Sequence, residues 1–119
     1  MERKSSSSVR VFYPKYDTQT LVEAVRQQIE RLRRLLPIKL VVLFGSYATG
    51  NYTVASDIDL LVVYRGKPRQ DAYARVRETI DIAQLEPHVY AEAEYRRQER
   101  MIERMRRGGK VIYDEIEST

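Results

Sequence analysis

A chain of 119 residues has material for one hydrophobic core and not for two, so one domain is expected. Cysteine is absent and histidine occurs once, which excludes disulfides and thiol nucleophiles and leaves no basis for a zinc centre built from cysteine or histidine. The balance of 21 basic to 17 acidic residues attracts polyanions without choosing among them, and no apolar run is long enough to cross a bilayer, so a cytoplasmic protein without signal peptide or anchor is the expectation.

In chain order, residues 1–16, with the Ser5–Ser8 run, read as a disordered or loosely attached lead-in, and residues 17–119 as the folded domain. Thr20 and Glu23 fit a capping box that opens a helix over Thr20–Leu36, with Val22, Val25, Ile29, Leu32 and Leu36 on its inner face and Pro37 as its stop. Lys39–Phe44 reads as a buried strand ended by Gly45. Ser46–Thr49 starts a short helix that Gly50 and Asn51 break. Ile58–Tyr64 is a second strand, followed by a turn at Gly66, Lys67 and Pro68. A helix from about Asp71 to Ala83 would set Ala72, Val76, Ile80 and Ala83 on one side. A short third strand follows at Glu86–Tyr90, then a charged helix from about Glu92 to Arg107 with Tyr95, Ile102 and Met105 inward. Gly108 and Gly109 end that helix, and Lys110–Tyr113 reads as an edge strand. The alternation of helices and strands predicts an α/β (α+β) domain in which about four strands form one sheet packed by helices.

The chemistry concentrates in the stretch LFGSYATGNYTVASDIDLLVV, residues 43–63. Alternation along a strand sends Asp57 and Asp59 to one face and Ile58 and Leu60 to the other. Two ionised carboxylates so close repel each other, and the apolar run behind them sharpens that cost; a hard divalent cation with oxygen ligands relieves it. Mg²⁺ fits, since it accepts one or two carboxylates and completes its shell with water and phosphate oxygens. Phosphoryl-type transfer commonly uses two such ions. Glu86, opening the third strand after a crossover helix, is the candidate third ligand. Gly45 and Ser46, where a strand turns into a helix, would present backbone N–H groups and a hydroxyl to a triphosphate. A lone Asp-x-Asp also suits a solvated strand start, a calcium loop or a glycosyltransferase metal motif; joined to the Gly-Ser turn it points to nucleotide chemistry.

Gly45-Ser46, ten intervening residues, then Asp57-Ile58-Asp59-Leu60 resembles the signature of the DNA polymerase beta-like nucleotidyltransferase superfamily, and the short length resembles its minimal nucleotidyltransferases. The resemblance is strong over Leu43–Val63 and rests on element order from Asp71 to about Tyr95. It implies a nucleotidyltransferase fold with a mixed sheet, dependence on Mg²⁺ (two ions), and transfer of a nucleoside monophosphate, usually AMP from ATP, to a hydroxyl. Gly45 and Ser46 would then be the nucleotide-binding residues, and Asp57, Asp59 and Glu86 the catalytic metal ligands. Two positions depart from the pattern: Glu86 stands where relatives more often have aspartate, and Thr49 where they usually have arginine. Short relatives are often encoded beside a HEPN-domain partner and act as antitoxins, some by placing AMP on a tyrosine of that partner. The rival expectation is a binding module of the same fold that neutralises a partner by contact.

His88, two residues after Glu86, reads as a structural histidine rather than a base, because bound metals would activate the acceptor. The arginines from Arg96 to Arg107 read as a solvated face balanced by Glu92, Glu94, Glu99 and Glu103, in preference to a nucleic-acid surface. Homo-oligomer formation is left open.

Overall fold

In the computed structural model, residues 16–115 are described. The lead-in expected at 1–16 therefore lies outside the described residues except for Tyr16, which is half-buried against the main core.

The first helix, α1, runs Thr18–Leu32 rather than from Thr20 to Leu36. Its start is set by Asp17, whose carboxylate accepts from the Thr20 backbone N–H at 2.8 Å while the Thr20 hydroxyl accepts from the Asp17 N–H at 3.0 Å. The capping box is thus Asp17 with Thr20, and Glu23 instead pairs with Arg26 on the surface. Leu21, Val25, Ile29 and Leu32 bury one stripe, with Val22 only at its margin. The chain leaves the helix at Arg33, and Leu36 is buried from the turn that follows.

Four strands follow: β1 (Ile38–Phe44), β2 (Ile58–Tyr64), β3 (Leu85–Ala91) and β4 (Lys110–Asp114). They form one mixed sheet in the order β3-β2-β1-β4, with β1 antiparallel to both β2 and β4, and β2 parallel to β3. The centre is β1 and β2, whose near-continuous Val/Leu runs are buried on both faces. On one face Val41, Leu43, Leu60 and Val62 pack with α1 and with α3 (Ala72–Thr79). On the other, Leu40, Val42, Leu61 and Val63 close around Ile102. That isoleucine belongs to α5 (Glu99–Gly108), separated from the short α4 (Glu92–Tyr95) by a 3₁₀ turn at Arg96–Gln98. The single charged helix expected over 92–107 is therefore two helices with a bend. Each fully buried Leu or Ile contributes about 1.5–3 kcal/mol, so two such clusters back to back hold the sheet rigid.

The crossover helix α3 stops at Thr79, short of the expected Ala83, because Ile80 turns extended and is buried while Ala83 is exposed. Gln84 then adopts φ +66°, its carbonyl accepts from the Ile58 N–H at 2.9 Å, and its amide donates to the Val54 carbonyl at 3.2 Å. The start of β3 is thereby tied to the loop that leads into β2.

Candidate functional site

Topology brings three chain ends together. β1 finishes at the same edge of the sheet at which β2 begins, because they are antiparallel, and β3 begins there too, because it is parallel to β2. Asp59 is the register partner of Phe44 on one side and of Glu86 on the other. Ile58 and Leu85 are also partners, and both are buried in the α1/α3 core. Strand alternation therefore puts Asp59 and Glu86 together on the opposite face, the one that α5 covers further along. Asp57, one residue ahead of β2, is exposed, as is Glu86, while Asp59 is half-buried.

The corner after β1 sits directly against this carboxylate. Gly45 has φ +76°, and a Cβ on it would come within 2.5 Å of Asp59 Oδ2. Only glycine permits both that backbone conformation and that approach. The helix it opens, α2 (Ser46–Thr49), is a single turn, so its macrodipole is slight. What it offers a phosphate is the backbone N–H groups of its first turn and the Ser46 hydroxyl. The turn is well anchored. Tyr47 is buried, its ring stacks on Tyr52 with centroids 4.4 Å apart, and its carbonyl accepts from the Thr18 hydroxyl at 2.6 Å. Burial, with the neighbouring Tyr52, pushes the Tyr47 hydroxyl above the usual phenol range. The Thr49 hydroxyl lies 3.3 Å from the Ser46 carbonyl and is spent on the turn itself.

His88 lies on the same face as Glu86, two residues along β3. Its Nε2 is 3.4 Å from Asp59 Oδ1, and its ring meets Phe44 edge-on at 5.0 Å. It braces one oxygen of Asp59 while the Gly45 backbone lies against the other. Sequence reasoning missed Phe44, Thr18 and Gln84 as supports of the site. A positive φ at a glutamine has no sequence signal, and the role of Phe44 depends on strand pairing.

Among the described residues, no three Asp, Glu or His side chains are already drawn together closely enough to enclose a cation. Asp59 and Glu86 are register partners, and Asp57 stands two residues before Asp59 on the chain. The donor set fits a hard divalent ion: oxygen ligands only, two of the three exposed, beside a glycine corner that leaves backbone reach for phosphate.

Comparison with known proteins bears on this arrangement. The sequence model described as "Nucleotidyltransferase domain" matches residues 25–114. A stretch of 26 residues is 65% identical to a Methanocaldococcus jannaschii protein provisionally named protein adenylyltransferase MJ0604; it covers 22% of this chain and 26% of that protein, about a quarter of its length. A crystal structure of a provisionally assigned nucleotidyltransferase from Sulfolobus solfataricus superposes with a TM-score of 0.52 at 25% identity, covering 68% of this chain and 76% of that one.

Proposed function

The chain belongs to the nucleotidyltransferase domain family, and from that premise we propose that it moves AMP from ATP to a hydroxyl of a partner protein, a tyrosine of a HEPN-type toxin, and so acts as its antitoxin. The nucleotidyltransferase fold and a transferase activity in the broad sense come with the family. The nucleotide, the metal, the acceptor and the antitoxin role are the proposal. One observation carries it: Asp59 shares a face with Glu86, follows Asp57 by two residues, and lies against the Gly45 corner.

In this reading Gly45 and Ser46 hold the β- and γ-phosphates by backbone N–H groups and a hydroxyl, which leaves the α-phosphorus over the carboxylates. The acceptor oxygen attacks that phosphorus, the bond to the bridging oxygen of the β-phosphate breaks, and pyrophosphate departs. Asp57, Asp59 and Glu86 would hold Mg²⁺, which when bound supplies charge neutralisation on the phosphoryl oxygens and an acidified acceptor hydroxyl. His88 and the Gly45 backbone fix the rotamer of Asp59 from opposite sides, a supporting role that agrees with the expectation of a structural histidine.

The test is co-expression with the partner encoded beside it, followed by intact-mass analysis of that partner. One or more added adenylates are expected with the wild type. None is expected with Asp57→Asn plus Asp59→Asn, although that variant still co-purifies with the partner. Transfer by the double variant would remove these residues from the chemistry. A second reading, neutralisation by contact alone, draws on one feature that the chemistry leaves unused, the arginine face of α5. It predicts an unmodified partner with both proteins.

A further inference from the structure

The outer face of α5 carries charge that the fold itself does not use. At about 100° per residue, Arg100, Arg104 and Arg107 fall some 140–160° around the helix from Ile102, the residue that anchors it to the sheet. They form a crest about 10 Å long, and Arg97 in the preceding turn extends it. All four are exposed, and among the described residues no carboxylate pairs with any of them. The glutamates of the same helix lie to one side: Glu103 is half-buried and accepts from the Tyr95 hydroxyl at 3.3 Å, and Glu99 stands exposed on the same flank. Glu99 and Glu103 border the same open hollow as Arg100, Arg104 and Arg107, so the face carries both signs, with the arginines in excess and exposed.

The direction of the crest matters as much as its charge. α5 covers the face of the sheet on which Asp59 and Glu86 lie, since Ile102 packs against Leu61 and Val63 of the same strand alternation. Its C-terminal end comes down beside the site. Gly109 is so close to β1 that a Cβ there would be 2.6 Å from the Leu43 carbonyl, and Lys110 pairs with Leu43, two residues before Gly45. A molecule lying along the arginines from Arg97 to Arg107 is therefore led toward the carboxylates.

We infer that this crest is the docking surface for the acceptor, and that the acceptor is a protein presenting an acidic helix, with carboxylates at matching i, i+4, i+7 positions and its reactive hydroxyl beyond one end. The inference deepens the transfer reading above and rests on it for the word acceptor. Arginine forks suit carboxylates and phosphates alike, but one feature favours a protein. The exposed residues of α5 include no aromatic ring on which a base could stack.

The experiment uses three fluorescent probes: a helical peptide with glutamates along one face and a single terminal tyrosine, the same peptide with glutamine for glutamate, and a single-stranded RNA of equal charge. Each is titrated by anisotropy into the wild type, into Arg100→Glu plus Arg104→Glu, and into Arg34→Glu plus Lys67→Glu, which changes net charge equally at exposed positions away from the crest. The glutamate peptide should bind at least about tenfold more tightly than the glutamine peptide, lose that advantage in the α5 variant and keep it in the control. Equal binding of the two peptides, an equal loss in the control, or tighter binding of the RNA would each overturn the inference. The intact mass of the co-expressed partner separates the two readings: if the binding pattern holds and that partner carries no adenylate, docking stands and the transfer reading fails.

Discussion

At the scale of single residues, the site turns on the contact between Gly45 and Asp59. Gly45 and Gly50 bracket the same short helix, and both hold positive φ, +76° and +85°. Gly50, with ψ 4°, is in the left-handed helical region, where alanine costs about 1–2 kcal/mol and several degrees of melting temperature, whereas Gly45, with ψ −153°, is in a region essentially reserved for glycine, where alanine costs more. Their surroundings differ. A Cβ at Gly50 meets nothing within 4 Å, whereas at Gly45 it drives into Asp59 Oδ2. Asp59 can swing aside to relieve the clash, and in doing so leaves His88 and the position that the proposed function assigns to a metal ligand. Gly50→Ala should accordingly lose a modest amount of stability and keep transfer, while Gly45→Ala loses more stability together with nearly all transfer. Parallel melting curves and adenylate incorporation on the two variants measure the difference; equal activity in both would detach Gly45 from the site. Asp57, Asp59, Gly45 and Ser46 could be picked out as candidates in the sequence because strand alternation and a Gly-Ser turn are local features. The contact between them could not, because it forms across two strands.

Elements were legible where the pattern was unambiguous, and the helix ends were not. β2 runs Ile58–Tyr64 and α2 Ser46–Thr49 as expected, since each is bounded by residues that cannot continue it. The start of α1 was misread because Thr20, a good cap by type, serves as the reciprocal partner of Asp17. The end of α3 was misread because Ile80 satisfies a helical stripe and equally the buried extended turn it occupies. The bend between α4 and α5 has a tertiary cause as well. Glu92 on α4 binds Lys39 of β1 at 2.8 Å and the Gly66 N–H at 3.4 Å, which ties the short helix to the far end of the sheet. The Lys39 ammonium first, and then the Gly66 N–H, hold the Glu92 carboxyl below the ordinary glutamate value of 4.5. A depressed folded-state pKa means that the stabilisation is complete above that value and disappears as pH falls through the folded one. Glu92→Gln should therefore melt below the wild type at pH 7, and the two curves should converge in the acid range under pH 4.5. The pair is partly exposed, so the gap is small and shrinks with salt. A gap of constant size across that range would mean that Glu92 acts by packing and not by charge.

At the scale of the molecule, the order β3-β2-β1-β4 accomplishes what no local stretch could announce. One antiparallel and one parallel pairing on either side of β2 deliver the end of β1 and the starts of β2 and β3 to a common edge. Glu86 could be proposed from element order, but its partnership with Asp59 is a matter of register, which depends on how two cores fill from opposite sides. The arrangement concentrates negative charge at one rim of a basic protein, and it gives a thermodynamic test that needs no acceptor. Without metal, the carboxylates of Asp57, Asp59 and Glu86 repel one another and the contact of Asp59 with His88 is long, at 3.4 Å, so Asp57→Asn plus Asp59→Asn should melt at the wild-type temperature or slightly above it. With Mg²⁺ and a non-hydrolysable ATP analogue at about 100 times the dissociation constant, linkage adds about 2.7 kcal/mol to the wild type, roughly 10 °C for a domain of this size. The double variant should lose the part of that gain that depends on Mg²⁺. The order of the four melting temperatures decides the matter, because a structural role for the carboxylates lowers the variant before any ligand is added, whereas a role in metal binding separates the two proteins only afterwards.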